Sequence, residues 1–199
     1  MISAIILAAG ESRRMGKLNK LLLPFCGEVL IHKFVKSVFS SNVDEVLVVV
    51  GNEEEKIKNV LKEEPVRFVE NVDHMKGMTS SIQTGIQAAS KESNGFLICL
   101  ADLPFIETSD FNRIIQSFTD FYDSKNSLII VPVYRGMRGN PVLFSNQFRD
   151  IILQHEGEGC RGIVQKHPES VREVVMGNEN VLRDVDTIED YKKAMRIFN

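Results

Sequence analysis

The chain alternates short apolar runs rich in β-branched residues with segments of helical period, from "ISAIILA" near its start through "EVLVVV" and "GFLICL" to "VREVV". A run that is apolar throughout buries both of its faces, which suits a central strand of a sheet covered by helices on each side. The expected strands are Ser3–Leu7, Glu45–Val50, Val66–Val69, Phe96–Leu100, Ser127–Val133, Pro141–Phe144, Val171–Val175 and Val181–Val185. The expected helices are Val29–Ser40, Glu53–Lys62, Ser80–Ser90, Ser109–Tyr122, Asn146–His155, Arg161–Lys166 and Ile188–Phe198. Ile82, Ile86 and Ala89 share one face of the third helix, and Phe111, Ile114, Ile115 and Phe118 one face of the fourth, which is core packing. Thr187 is placed to cap the last helix, with Asp190 at the reciprocal position of a capping box. Strands alternating with helices predict an α/β fold of three layers around a mostly parallel mixed sheet, and 199 residues suit one domain, 1–199.

Several function classes are disfavoured. The first apolar run is too short to span a membrane and follows no basic region, so a buried strand is expected in a cytoplasmic protein, with no membrane partner. Cys26, Cys99 and Cys160 are odd in number and widely spaced, which argues against a disulfide framework or a structural zinc site. His32, His74, His155 and His167 have no metal-ligand spacing. A net charge of −3 gives no general reason to bind nucleic acid.

Ligands of such sheets sit beyond the carboxyl ends of the strands. After the first strand the chain reads "LAAGESRRMGKLNKLLLP", which nearly spells a phosphate-binding loop. Five residues separate Gly10 from Gly16, one more than a Walker loop has, and Leu18 stands where a Mg²⁺-binding hydroxyl belongs. The dinucleotide fingerprint fails as well, because Ser12 occupies its second glycine position. What remains is a small-residue turn followed by Arg13, Arg14, Lys17 and Lys20, a local cation cluster on an acidic chain. That placement favours a bound anion over a merely solvated face. Asp102 in "LADLPF" follows a buried strand, and "RDVDT" adds Asp184 and Asp186. Two carboxylates at neighbouring strand ends suit a hard cation such as Mg²⁺, and periodicity does not choose between Asp184 and Asp186. Cations, acids and glycines together are equipment for transfer chemistry on a phosphate ester.

"LAAGESRRMGKLNKLLLP", "GMTSSI", "LADLPF", "RGNPVLF", "GEGCRG" and "DVDTIEDY", in that order over nearly the whole chain, resemble the nucleotidyltransferases of molybdenum cofactor biosynthesis, especially the molybdopterin cytidylyltransferase branch. The resemblance implies a Rossmann-like nucleotide-diphospho-sugar transferase fold. It also implies a Mg²⁺-dependent reaction that joins the terminal phosphate of molybdopterin to the α-phosphate of CTP and releases pyrophosphate. By the same resemblance the backbone of Leu7, Ala8 and Ala9 would face the base and ribose, and Gly10 would pass the triphosphate. Arg14 would bind the outer phosphates, and Lys20 would neutralise the α-phosphate. Asp102 and Asp186 would hold the metal, Asn71 and Ser81 would contact the base, and Gly139, Asn140 and Pro141 would lie toward the acceptor. The guanylyl branch tends to carry "LAGG" where this chain has "LAAG", which favours CTP, and the extra methyl of Ala9 would narrow the space beside the base. A transient contact with a recipient molybdoenzyme of xanthine dehydrogenase type is also implied. The rival readings are a sugar- or polyol-phosphate nucleotidyltransferase on the same fold and a non-catalytic carrier of the cofactor.

Overall fold

A computed structural model describes residues 1–16, 18–157 and 159–197. Ten strands run in chain order among the described residues: β1 (Ile2–Ala8), β2 (Pro24–Phe25), β3 (Glu28–Val29), β4 (Glu45–Val50), β5 (Arg67–Glu70), β6 (Gly95–Leu100), β7 (Ile129–Tyr134), β8 (Met137–Arg138), β9 (Val142–Ser145) and β10 (Val171–Val175). Seven α-helices are interleaved among the described residues: α1 (Leu30–Phe39), α2 (Glu54–Val60), α3 (Met78–Ala88), α4 (Thr108–Phe121), α5 (Arg149–Leu153), α6 (Arg161–Lys166) and α7 (Ile188–Ile197). The main sheet has the order β10-β7-β9-β6-β1-β4-β5, with β8 pairing with β7, while β2 and β3 form a separate hairpin. It is mostly parallel; β9 runs antiparallel to both of its neighbours.

Alternation along β1 explains the three layers. Ala4, Ile6 and Ala8 join Phe34 of α1, Ile57 of α2, Ile114 of α4 and Ala194 of α7 in one core. Ile5 points the other way, into a second core with Ile86 of α3, Ile152 of α5 and Ile163 of α6. Both faces of the strand are therefore apolar because both are covered.

The chain steps from β1 outward to β4 and β5, then returns through α3 to β6 on the other side of β1. Such a reversal opens a crevice beyond the carboxyl ends of the two strands at the switch. Leu7 pairs with Leu100, so the loop from Ala9 and the loop from Ala101 leave the sheet side by side.

Three expectations need correction. Val181–Val185 is not a strand: Asn180–Leu182 is a 3₁₀ turn, and burial recurs at Val181 and Val185, four residues apart, without the alternation a strand shows. Helix α3 starts at Met78, two residues before the expected start, so Ser80 and Ser81 lie inside its first turn and neither is its N-cap. The segment expected as Asn146–His155 divides into a 3₁₀ turn, Asn146–Phe148, and α5. The β2–β3 hairpin and β8 were not expected. The capping box of α7 forms, with the Thr187 N–H donating to Asp190 Oδ2 (3.0 Å) and the Asp190 N–H to Thr187 Oγ1 (3.2 Å). Lys17, Glu158 of "GEGCRG" and Phe198 lie outside the described residues. No helix among the described residues is long and apolar enough to cross a membrane.

Candidate active site

The loop after β1 owes its shape to short-range bonds. Ser12 adopts a left-handed conformation (φ 51°), uncommon for a residue with a side chain. Its carbonyl accepts the Met15 N–H (2.7 Å) and its hydroxyl accepts the Lys20 N–H (3.1 Å). Met15 is 1% exposed and anchors the 3₁₀ turn Arg13–Met15 in the protein. Asn19 Oδ1 then accepts the Leu21 N–H (3.1 Å), capping a second 3₁₀ turn that begins at Lys20. These bonds fix the direction in which the Lys20 side chain leaves.

It leaves toward two carboxylates. Lys20 Nζ lies 2.5 Å from Asp102 Oδ2 and 2.6 Å from Asp186 Oδ1, with only 15% of the lysine side chain exposed. Arg14 Nη1 reaches Asp186 Oδ2 at 2.7 Å from a guanidinium that is largely in solvent. Asp186 arrives without a strand; the Val185 N–H donates to the Asp102 carbonyl (2.9 Å) and sets the two acids side by side. Burial pulls the Lys20 pKa down, but the charges of Asp102 and Asp186 and their hydrogen bonds outweigh it, leaving the lysine above its ordinary range and protonated. Asp184 is raised, by partial burial and by the like charges of Asp102 and Asp186.

The other Asp102 oxygen, Oδ1, is buried and has no hydrogen-bond partner among the described residues. A buried carboxylate oxygen without a partner is costly. With Asp186 beside it, an all-oxygen donor set suits a hard divalent cation such as Mg²⁺. No cluster of three or more His, Cys, Asp or Glu side chains with ligand geometry occurs among the described residues, so two carboxylates would leave the remaining positions to waters or phosphate oxygens.

Around this cluster lies a cavity of about 400 Å³ that includes Leu7, Ala9, Gly10, Arg14, Lys20, Ser81, Asp102 and Asp186. Eight of the residues singled out in the sequence therefore share one wall system. A second cavity, about 860 Å³, meets the first at Met78 and Leu100 and is lined by Arg138, Gly139, Asn140, Cys160 and Arg161 over an apolar floor that includes Ile82, Ile98 and Val142. Two adjoining chambers, with Arg14 and Lys20 in the first and Arg138 and Arg161 in the second, suit a reaction between two anionic substrates.

Some expected residues take other places. Ala8, expected to offer its backbone, has a fully buried side chain in the core shared with α1 and is not part of the first cavity's lining. Asn71 is 2% exposed behind the cavity wall, donating through Nδ2 to Ser80 Oγ and Ser81 Oγ (both 2.9 Å) and accepting the Asp73 N–H (3.0 Å); it orients the serines. Pro141 is buried and does not line the second cavity. The Ala9 methyl packs beside Gly51, where an added Cβ would lie 3.0 Å from it and 2.8 Å from His74 Cβ. His74, Met75 and Met78 also line the first cavity and were missed, as were Arg138 and Arg161 in the second. For the last two, the basic residues of "RGMRGN" and "GCRG" were the available signal.

Residues 4–171 match the model of a family described as the MobA-like NTP transferase domain. The chain is 28% identical to a protein of Paenarthrobacter nicotinovorans named nicotine blue oxidoreductase, covering 98% of this chain and 96% of that one. It is also 28% identical to the purine catabolism protein PucB of Bacillus subtilis, over 96% and 95% of the two chains. Among solved structures, a nucleotidyl transferase from Methanothermobacter thermautotrophicus superposes with a TM-score of 0.86 at 24% identity, over 100% of this chain and 97% of that one, and shares the fold.

Proposed function

The chain belongs to the MobA-like NTP transferase family, and on that premise we propose that it transfers a cytidylyl group from CTP to the terminal phosphate of molybdopterin, releasing pyrophosphate. The observation that carries this reading is the Lys20 ammonium held between Asp102 and Asp186 in the wall of the smaller cavity, which adjoins the larger one at Met78 and Leu100.

CTP would lie in the smaller cavity, its base end toward Ser81 and His74 and its phosphates along Gly10 toward Arg14. Molybdopterin would lie in the larger one, its phosphate reaching toward the junction past Gly139 and Asn140. Its phosphate oxygen is already ionised, so it attacks the α-phosphorus with no base: the new P–O bond forms as the bond from the α-phosphorus to the β-phosphate bridging oxygen breaks, and pyrophosphate carries the electron pair away. Lys20 neutralises charge on the α-phosphate, and Arg14 binds the outer phosphates. Arg14 is mostly exposed, and exposed ion pairs are worth only ~0.2–1 kcal/mol, so it exchanges Asp186 for a phosphate at small cost. Asp102 and Asp186 would hold Mg²⁺, which when bound neutralises phosphate charge and orients the oxygens.

Comparing kcat/KM for CTP and GTP with molybdopterin, and with a sugar phosphate, tests the reading. Turnover with molybdopterin and CTP is expected; turnover with the sugar phosphate alone would reassign the acceptor, and delivery of molybdopterin without any turnover would make the protein a carrier. Ala9→Gly tests base selection. Removing the methyl that packs beside Gly51 and His74 should reduce the preference for CTP over GTP about tenfold, the low end of what one methylene-sized change is worth. An unchanged ratio would remove Ala9 from base selection.

A further inference from the structure

The segment that delivers Asp186 has no strand to hold it, and the structure shows what holds it instead. Asp110, in the first turn of α4, is 4% exposed. Its Oδ2 accepts the Glu107 N–H, which is helix capping, but it also accepts Asn180 Nδ2, and Oδ1 accepts Asn178 Nδ2, all at 3.0 Å. Asn178 Oδ1 in turn accepts the Asn180 N–H (3.0 Å). One buried carboxylate thus binds two asparagines of the same loop. From that anchor the loop runs through Val181, whose carbonyl accepts the Asn140 N–H (3.0 Å) in the larger cavity's wall, to Val185 bonded to Asp102, and to Asp186. Gly139 sits so close to Val181 that a Cβ there would lie 2.3 Å from its carbonyl oxygen.

We infer that Asp110 is a positioning residue for nucleotidyl transfer: through Asn178 and Asn180 it fixes the segment that sets Asp186 against Asp102 and ties that pair to the acceptor wall at Asn140. Capping alone does not require this, since the Glu107 N–H occupies only one of its oxygens. Charge clusters of this kind work within tolerances of about 0.5 Å, and a loop without a ladder needs side-chain bonds beside its isolated backbone bonds at Val181 and Val185 to meet them. The inference rests on the reading of Asp102 and Asp186 as cation-binding carboxylates.

Asp110→Asn keeps the volume and an oxygen for the Glu107 N–H and Asn180 Nδ2, but sets an amide NH₂ against Asn178 Nδ2. It should lower kcat about tenfold and weaken Mn²⁺ binding, measured by calorimetry without nucleotide, by a similar factor, as loss of an outer-shell partner does. KM for CTP should stay near wild type, and the Val185 amide should exchange its hydrogen faster. Asp110→Asn/Asn178→Asp restores a carboxylate–amide pair and should recover all three. Glu107→Ala, which leaves the asparagine bonds in place, should leave Mn²⁺ affinity unchanged. If Asp110→Asn does not fold, Asn178→Ala, which spares the cap, carries the same expectations. Wild-type Mn²⁺ affinity and kcat in the clamp variants would overturn the inference while leaving the site's reading intact; a wild-type protein that binds no Mn²⁺ would overturn both.

Discussion

Replacing Lys20 with alanine should lower kcat by ~10²-fold or more, the scale on which removal of one preorganised charge partner of a transition state acts. The same substitution should tighten the binding of Mn²⁺ in the absence of nucleotide. Both follow from one geometry. Lys20 Nζ bridges Asp102 Oδ2 and Asp186 Oδ1 at 2.5 and 2.6 Å, so the ammonium competes with a divalent cation for the same oxygens and must leave them to meet a phosphate. With the amine gone, the exposed Arg14 guanidinium on Asp186 is the cation left beside the two carboxylates, and a metal between them relieves their repulsion. Steady-state kinetics together with calorimetric Mn²⁺ titration of the variant checks the pair of effects. Near-normal turnover would refute the role of Lys20, and weakened Mn²⁺ binding would refute the competition.

Asp102→Asn has the second large expected effect. The substitution converts one carboxylate oxygen to an NH₂ group, either beside the Lys20 ammonium, where two donors would meet, or at the buried Oδ1 position that has no partner. Either orientation removes the negative charge that a cation at this site needs. Substituting an outer-shell partner of a metal typically costs 10–100-fold, so loss of a direct carboxylate should cost more than ~100-fold in kcat and in Mn²⁺ affinity. A variant that retains Mn²⁺ binding within a few-fold would remove Asp102 from the metal site.

Much of this arrangement could be read from the residues alone. The strands at Ser3–Leu7 and Phe96–Leu100 were legible because both faces of each are apolar, and their neighbouring carboxyl ends brought the basic loop and Asp102 together as expected. The approach of Asp186 was correct in outcome but not in cause. Its segment reads as a strand by its valines, whereas a buried aspartate 76 residues earlier holds it through asparagine side chains that no periodicity reveals. Asn71 was drawn toward the base by resemblance, but its amide is spent on Ser80 and Ser81, a choice set by the start of α3 at Met78. His74, in a short turn, and Met78, the first residue of α3, escaped notice because neither carries a spacing of its own; the packing of His74 against Gly51 brings it to the cavity.

The central claim is that this site moves a nucleotidyl group between two anions lying in adjoining chambers. Incubating the protein with α-³²P-labelled CTP, molybdopterin and Mg²⁺ tests it most directly. The account predicts that label enters the acceptor in equal amount to the pyrophosphate released, and that omitting the acceptor stops both. Label remaining in CTP, or appearing only as free CMP whether or not the acceptor is present, would contradict it.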